Sequence, residues 1–286
     1  MNRKQLAQVA LKWDPFATEV PNEALYVSPK IESFNWRLEN VLVREGGFGR
    51  IKGESGTGKS SALRLLEDRL QRVADVTVAK LERPTSGVAD LYRELGDLFG
   101  VLLKPHNRWQ GFKALRERWQ SHIESTTVRP VLLIDEAQEL FPVVLNELRF
   151  LSSTRLDSRI ILTVVLCADG RLDKKLEHPD LVPLASRIRA RLSLERATPD
   201  ELLAHLKHLL AGAGNAKLMT PELMAAVCEL SMGNLRAMTQ TCSELLALAV
   251  QHDRGQLDEK LLLDLDPAAR QVRTQARRPR AIAGAQ

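Results

Sequence analysis

The sequence predicts an α/β fold in which a parallel β-sheet is sandwiched by helices and followed by a small all-helical lid domain. Three observations carry this. Gly53-Glu54-Ser55-Gly56-Thr57-Gly58-Lys59-Ser60 matches the P-loop pattern G-x-x-x-x-G-K-[ST] at every fixed position. Between residues 46 and 196, apolar strand-like runs alternate with helix-period segments, the arrangement that builds a parallel sheet covered on both faces. From residue 197 onward the patterns are helical only.

Residues 1–45 read as a lead-in, with Trp13-Asp14-Pro15-Phe16 and Leu25-Tyr26 ahead of a helical stretch near Ile31 to Val43. Phe48 to Ile51 is a short strand, the P-loop follows, and Ser61 to Glu67 opens a helix. Val76-Thr77-Val78-Ala79 is a second strand. Helices are expected over Val88 to Phe99 and Gly111 to Glu124, the latter with Phe112, Leu115, Trp119 and Ile123 on one face. Trp109 and Trp119 both read as core residues. Val131 to Ile134 and Ile160 to Leu166 are continuous apolar runs, as strands buried on both faces require. Residues 46–196 thus form the α/β domain.

In the lid, residues 197–266, Thr198-Pro199-Asp200-Glu201 supplies an N-cap, a first-turn proline and an N3 glutamate. Gly212 and Gly214 punctuate that helix's end. Thr220-Pro221-Glu222 starts a second helix and Asn234 to Val250 forms a third. Residues 267–286 have few large apolar side chains and read as a disordered tail.

Composition is that of a soluble globular protein, 44% apolar and 27% charged, with no apolar run long enough for a membrane span and no signal-peptide pattern. Cys167, Cys228 and Cys242 lack metal-ligand or redox spacing and read as core filling in a reducing cytoplasm. The net charge of +5 comes from the tail, whose five arginines face no acid, leaving 36 basic and 36 acidic residues elsewhere. A polyanion would therefore be held by the tail or by local patches.

The P-loop's physical meaning is specific. Its glycines let backbone N–H groups turn inward around phosphate oxygens, and a helix start favours negative charge. Gly53 through Ser61 are the expected ATP contacts, with Lys59 reaching the β- and γ-phosphates and the Ser60 hydroxyl on Mg²⁺. The strand Val131 to Ile134 ends in Asp135-Glu136, and on a P-loop sheet a strand's carboxyl end faces the phosphates. Asp135 then holds Mg²⁺ through water and Glu136 orients or deprotonates the attacking water.

The order of P-loop, acidic strand end, further strand and helical lid resembles the AAA+ ATPases. Within them it resembles the branch of ExeA-type secretion and TniB/TnsC-type transposition ATPases. The likeness runs from about Asp14 to Leu265 and rests on Asp14-Pro15-Phe16, Leu25-Tyr26, Gly53 to Ser60, Ile134-Asp135-Glu136-Ala137-Gln138, the Leu184 to Leu192 arginine cluster, and Gly233-Asn234-Leu235-Arg236. The resemblance implies that Arg236 is the second sensor arginine, touching the γ-phosphate. It implies that one of Arg187, Arg189 and Arg191, with Arg187 preferred and then Arg189, is a finger for a neighbouring subunit's ATP; a basic amphipathic helix without a catalytic member is the other reading. Phe16, with Leu25 and Tyr26, would border the adenine, or Pro15-Phe16 would pack as a hydrophobic staple. Asp169 departs from the family's neutral polar residue beside the γ-phosphate. It binds the metal-water network, points away, or marks a slow ATPase.

Lys104-Pro105-His106-Asn107-Arg108-Trp109, continuing to Lys113, Arg116 and Arg118, is the main internal basic cluster, with Arg83, Thr85 and Ser86 in a neighbouring loop. Such groups suit backbone contacts to double-stranded DNA, though Glu117 and Glu124 equally allow a solvated face. Few contacts per copy require a ring or filament of copies. The leading expectation is an ATP-dependent DNA-transposition regulator that forms a homo-oligomer on duplex DNA and recruits a transposase or target-selection protein. The alternatives are an ExeA-like factor in secretion-apparatus assembly and an ATP-switched signalling scaffold.

Overall fold

The computed structural model describes residues 1–81, 87–103, 107–155 and 158–265. Arg83, Thr85, Ser86, Lys104 and the basic tail lie outside them. The chain forms two compact units: Val27–Glu195, and Met1–Tyr26 together with the described residues from Arg196 onward. The lead-in of residues 1–45 is thus divided at Tyr26.

In chain order the described helices are α1 (Arg3–Gln8), α2 (Pro29–Arg37), α3 (Val43–Glu45), α4 (Lys59–Gln71), α5 (Val88–Phe99), α6 (Arg108–Thr126), α7 (Pro142–Ser152), α8 (Arg171–Leu176) and α9 (Val182–Ala185). Then come α10 (Pro199–Gly212), α11 (Pro221–Leu230), α12 (Leu235–Gln251) and α13 (Glu259–Leu265). The strands are β1 (Gly47–Gly53), β2 (Val76–Leu81), β3 (Arg129–Ile134), the two-residue β4 (Ser153–Thr154) and β5 (Arg159–Ile160), β6 (Thr163–Ala168) and β7 (Ile188–Leu194).

In the α/β unit, five strands form a sheet in the order β2-β3-β6-β1-β7, every pairing parallel. Because side chains alternate across a strand, the apolar runs divide between two cores. Leu132, Ile134, Val164, Leu166 and Phe48 join α5, α6 and α7 on one face. Val131, Leu133, Val165, Cys167 and Ile51 join α2 and α4 on the other. Each run is apolar throughout because both its faces are covered.

Three details differ from the sequence reading. The run Ile160 to Leu166 is not one strand: Ile160 pairs antiparallel with Ser153, Ile161 N–H donates to the Ser152 carbonyl (2.8 Å), and β6 starts only at Thr163. The arginine cluster is an edge strand, not a helix. In β7, Ile188, Ala190 and Leu192 are buried while Arg189, Arg191 and Ser193 face outward. Trp109 is not core: it is 65% exposed on α6, whereas Trp119 is buried.

The helical unit gathers α1 and α10 to α13 around one core. The expected capping box is present, Glu201 N–H donating to Thr198 Oγ1 (3.2 Å) and Thr198 N–H to the Glu201 carboxylate (2.9 Å). Lys12 N–H donates to the Ala213 carbonyl (2.9 Å) and Asn215 Nδ2 to the Val9 carbonyl (2.8 Å), fastening the N-terminal segment to the end of α10.

Candidate functional site

At the end of β1 the chain turns through Glu54 to Gly58 into α4. Only glycine fits position 53, since a Cβ there would lie 2.4 Å from Thr57 Oγ1 and 2.8 Å from the Leu194 carbonyl oxygen. Gly56 (φ 80°) and Gly58 (φ 90°) hold left-handed conformations that L side chains avoid. Thr57 Oγ1 donates to the Glu54 carbonyl (2.8 Å), and so does Lys59 Nζ (3.1 Å), which ties the buried lysine back across the loop. No side chain caps the start of α4. Its first amides therefore present a positive end to an anion.

Asp135 and Glu136 stand at the carboxyl end of β3, next to β6. Asp135 is half-buried, and its Oδ1 accepts the Glu136 N–H (2.9 Å). Burial, followed by the nearby Asp135 carboxylate, pushes the Cys167 thiol well above its usual range, while nearby Lys59 pulls the other way. Cys167 is thus buried, as expected, but it also lies where the lysine of one motif and the acids of the other converge. The residues fit a magnesium-bound triphosphate: glycine cradle, uncapped helix start, Lys59, Ser60 exposed in the first turn of α4, and Asp135. Ser60 and Asp135 would hold the ion, which supplies charge neutralisation at the phosphates.

Glu136 takes a left-handed conformation (φ 50°, ψ 39°), uncommon for a residue with a side chain. Its carboxylate accepts the side-chain amide of buried Gln138, whose carbonyl oxygen in turn accepts the Asp169 N–H (3.3 Å). Lys175 Nζ fixes this turn from below, donating to the Gln138 and Leu140 carbonyls.

The Asp169 carboxylate is engaged locally. It accepts the Arg171 backbone N–H (2.8 Å) and the Arg171 guanidinium (2.9 Å), which also pairs with Glu139 (2.8 Å). Burial opposes its charge, yet the Arg171 backbone and guanidinium outweigh it and hold the carboxyl below the usual range. Asp169 is therefore ionised but paired, and its field at a γ-phosphate is largely offset by Arg171.

The remaining expected residues lie as follows. Arg187, half-buried at the start of β7, donates to the Pro183 carbonyl, and Arg189 pairs with Glu45. In the helical unit, Phe16 is buried in the core and its N–H donates to Asp14 Oδ1 (3.0 Å), while Tyr26 meets His205 and His208 edge-on, each at 5.6 Å between centroids. Arg236 is exposed in the first turn of α12, which Asn234 caps (Ala237 N–H to Oδ1, 3.1 Å). On α6, Lys113 sits over the Trp109 ring (5.1 Å), while Arg108 is held by the buried Glu147, which also accepts Tyr92 OH. Gln138, Arg171 and Cys167 were given no site role by sequence. The first lies inside the Ile134 to Gln138 motif, and the second forms an Asp-x-Arg pattern at a helix start.

A family model described as an AAA domain matches residues 43–176. The general secretion pathway protein A of Aeromonas hydrophila is 30% identical over 239 residues, 82% of this chain but only 43% of that protein. Among solved structures, Cdc6p from Pyrobaculum aerophilum superimposes with a TM-score of 0.68 at 15% identity, covering 85% of this chain and 67% of that one. Drosophila ORC bound to DNA gives 0.68 at 19% identity, covering 98% and 70%. The RuvB Holliday junction branch migration motor of Thermotoga maritima gives 0.52 at 16%, covering 87% and 72%. These structural likenesses show the fold.

Sheet order, phosphate loop, acidic strand end and the family match together define an AAA+ ATPase. Within that class the chain is similar to general secretion pathway protein A, of which it spans less than half. Among the described residues no helix is long and apolar enough to cross a membrane.

Proposed function

We propose that this chain is an ATP-dependent DNA-binding regulator of DNA transposition. It oligomerises on duplex DNA with ATP and Mg²⁺, recruits a transposase or target-selection partner, and disassembles on hydrolysis. The observation that carries the reading is the nucleotide site itself. In this reading Lys59, Ser60 and Asp135 hold Mg-ATP and Glu136 is the base for water, which the glycine cradle and the uncapped start of α4 support. Arg236 of the helical unit is the second sensor. Arg187 is the preferred finger for a neighbouring copy's ATP, followed by Arg189; such a group contributes about 10³–10⁵ in rate.

Lys113, with Arg83, Thr85, Ser86 and Lys104, makes the duplex contacts, while Arg108 is committed to Glu147. So few cations bind one duplex weakly, and lining up copies multiplies the effect. The fold likeness to a structure of ORC bound to DNA supports this reading. A second reading, an ATPase in secretion-apparatus assembly in the cytoplasm or at a membrane, is favoured by the 30% identity to general secretion pathway protein A.

Electron microscopy and binding measurements with duplex DNA, with and without a non-hydrolysable ATP analogue, test the proposal. Ordered assemblies that need both components are expected, with Lys59→Ala abolishing them. A protein that stays monomeric with saturating nucleotide and duplex overturns it in favour of the secretion reading.

A further inference from the structure

Outside the nucleotide site, a cleft of about 440 Å³ lies between α2 and the edge strand β7. On α2, Lys30, Ser33, Phe34 and Arg37 fall on one helical face, as residues three and four apart do. Buried Phe34 packs into the core and thereby fixes which way that face turns. On β7, Arg191 and Ser193 are two apart and both face outward. The two elements thus bring three cations and two hydroxyls to the walls of one cleft, and none of its lining residues is acidic.

Each of these cations is exposed and has no ion pair or side-chain hydrogen bond among the described residues. Of the carboxylates on or beside these elements, Glu32 pairs with Arg69 and Glu45 with Arg189, while Glu195 is exposed just past β7 and does not line the cleft. Like charges gathered without a counter-ion repel one another, and an anion entering the cleft relieves that repulsion. Arginine forks pair with two oxygens of a carboxylate or a phosphate alike, and a phosphate's further oxygens are left to accept from the hydroxyls and the lysine.

We propose that the α2–β7 cleft is a phosphate-binding site, distinct from the P-loop, for a phosphodiester backbone or a free polyphosphate. It lies within one compact unit and needs neither nucleotide nor a second copy, so its test is independent of ATP-driven assembly.

The test reads acetylation of Lys30 by mass spectrometry on the nucleotide-free protein at low salt, a local signal that phosphate at the P-loop does not shield. A 12-base-pair duplex, tripolyphosphate and polyglutamate are compared. Slowing of Lys30 acetylation at least about fivefold is expected with a phosphate-bearing probe, vanishing at high salt. Protection by duplex assigns the backbone, and protection by tripolyphosphate alone assigns a free polyphosphate. The protection is lost in Arg37→Glu/Arg191→Glu and reduced in the gentler Arg37→Gln/Arg191→Gln, with folding checked by circular dichroism. No protection by either phosphate probe, protection by polyglutamate alone, or protection unchanged in both double variants overturns the assignment.

Discussion

The buried side-chain amide of Gln138 donates to the carboxylate of Glu136, two residues before it on the same turn. Gln138 also accepts the Asp169 N–H, so the acid at the end of β3 and the backbone at the end of β6 share one side chain. A carboxylate held in this way is oriented before any substrate arrives, and orientation is where much of the rate in phosphoryl transfer originates.

Glu136→Gln should keep ATP affinity within about twofold and lower kcat by about 10²–10⁴, the usual worth of a general base. Gln138→Ala should lower kcat about tenfold with KM for ATP unchanged, because orientation is lost while the phosphate cradle stays. Phosphate release and fluorescent-nucleotide binding separate the two constants. An unaltered kcat in Gln138→Ala would show that the amide does not position the base.

Gly233 precedes the lid helix at φ 79°, and a Cβ there would come within 2.6 Å of the Ala197 carbonyl oxygen. The Ala197 N–H in turn donates to the Gly233 carbonyl (2.9 Å), which holds that backbone in place. Gly233→Ala should therefore cost about 2–4 kcal/mol, combining left-handed strain with overlap against backbone that cannot yield. A lowered unfolding midpoint, with Gly255→Ala as a control at a site where nothing crowds the added carbon, checks this.

Glu147 is almost fully buried on α7 and depends on Arg108 and Tyr92 to satisfy its charge. Burial first, and Glu147 second, push the Tyr92 hydroxyl far above its normal range, so Tyr92 stays protonated and keeps donating. Arg108→Ala strands the carboxylate and should destabilise the protein by about 3 kcal/mol. Adding Glu147→Leu removes the stranded charge and should recover most of that loss in urea denaturation. Independent, additive losses would argue against the pairing.

His205 is packed beside Tyr26 and His208, and burial first, then the His208 charge, push it down to about 4 from 6.5. A folded pKa below the unfolded one means that the unfolded chain binds the proton more readily. The stabilisation is whole above pH 6.5 and disappears as pH falls toward 4, amounting to about 3 kcal/mol. His205→Phe should flatten the stability profile between these limits. Parallel profiles for the two proteins in urea melts would refute it.

Much of this was legible in the sequence, for identifiable reasons. The P-loop, the Asp135-Glu136 strand end and the lid caps are local patterns in which geometry follows from neighbouring residues. The β7 strand was hidden because Arg187, Arg189 and Arg191 attract the eye, although Ile188, Ala190 and Leu192 between them carry the period of two that marks a half-buried strand. Trp109 was misplaced because periodicity assigns a helix face but does not tell where that face stops being covered. The Tyr92–Glu147–Arg108 group joins residues 55 and 39 positions apart, a distance at which no pattern in one sequence connects them.

The bond from Asn215 to the Val9 carbonyl spans 206 positions. At roughly 5–20 residues per second on the ribosome, those two groups are made about 10–40 seconds apart. The first two dozen residues must wait, unpartnered, while the whole nucleotide-binding unit is synthesised behind them. The helical unit, whose segments flank the nucleotide-binding unit in the chain, therefore cannot close until that unit has been made.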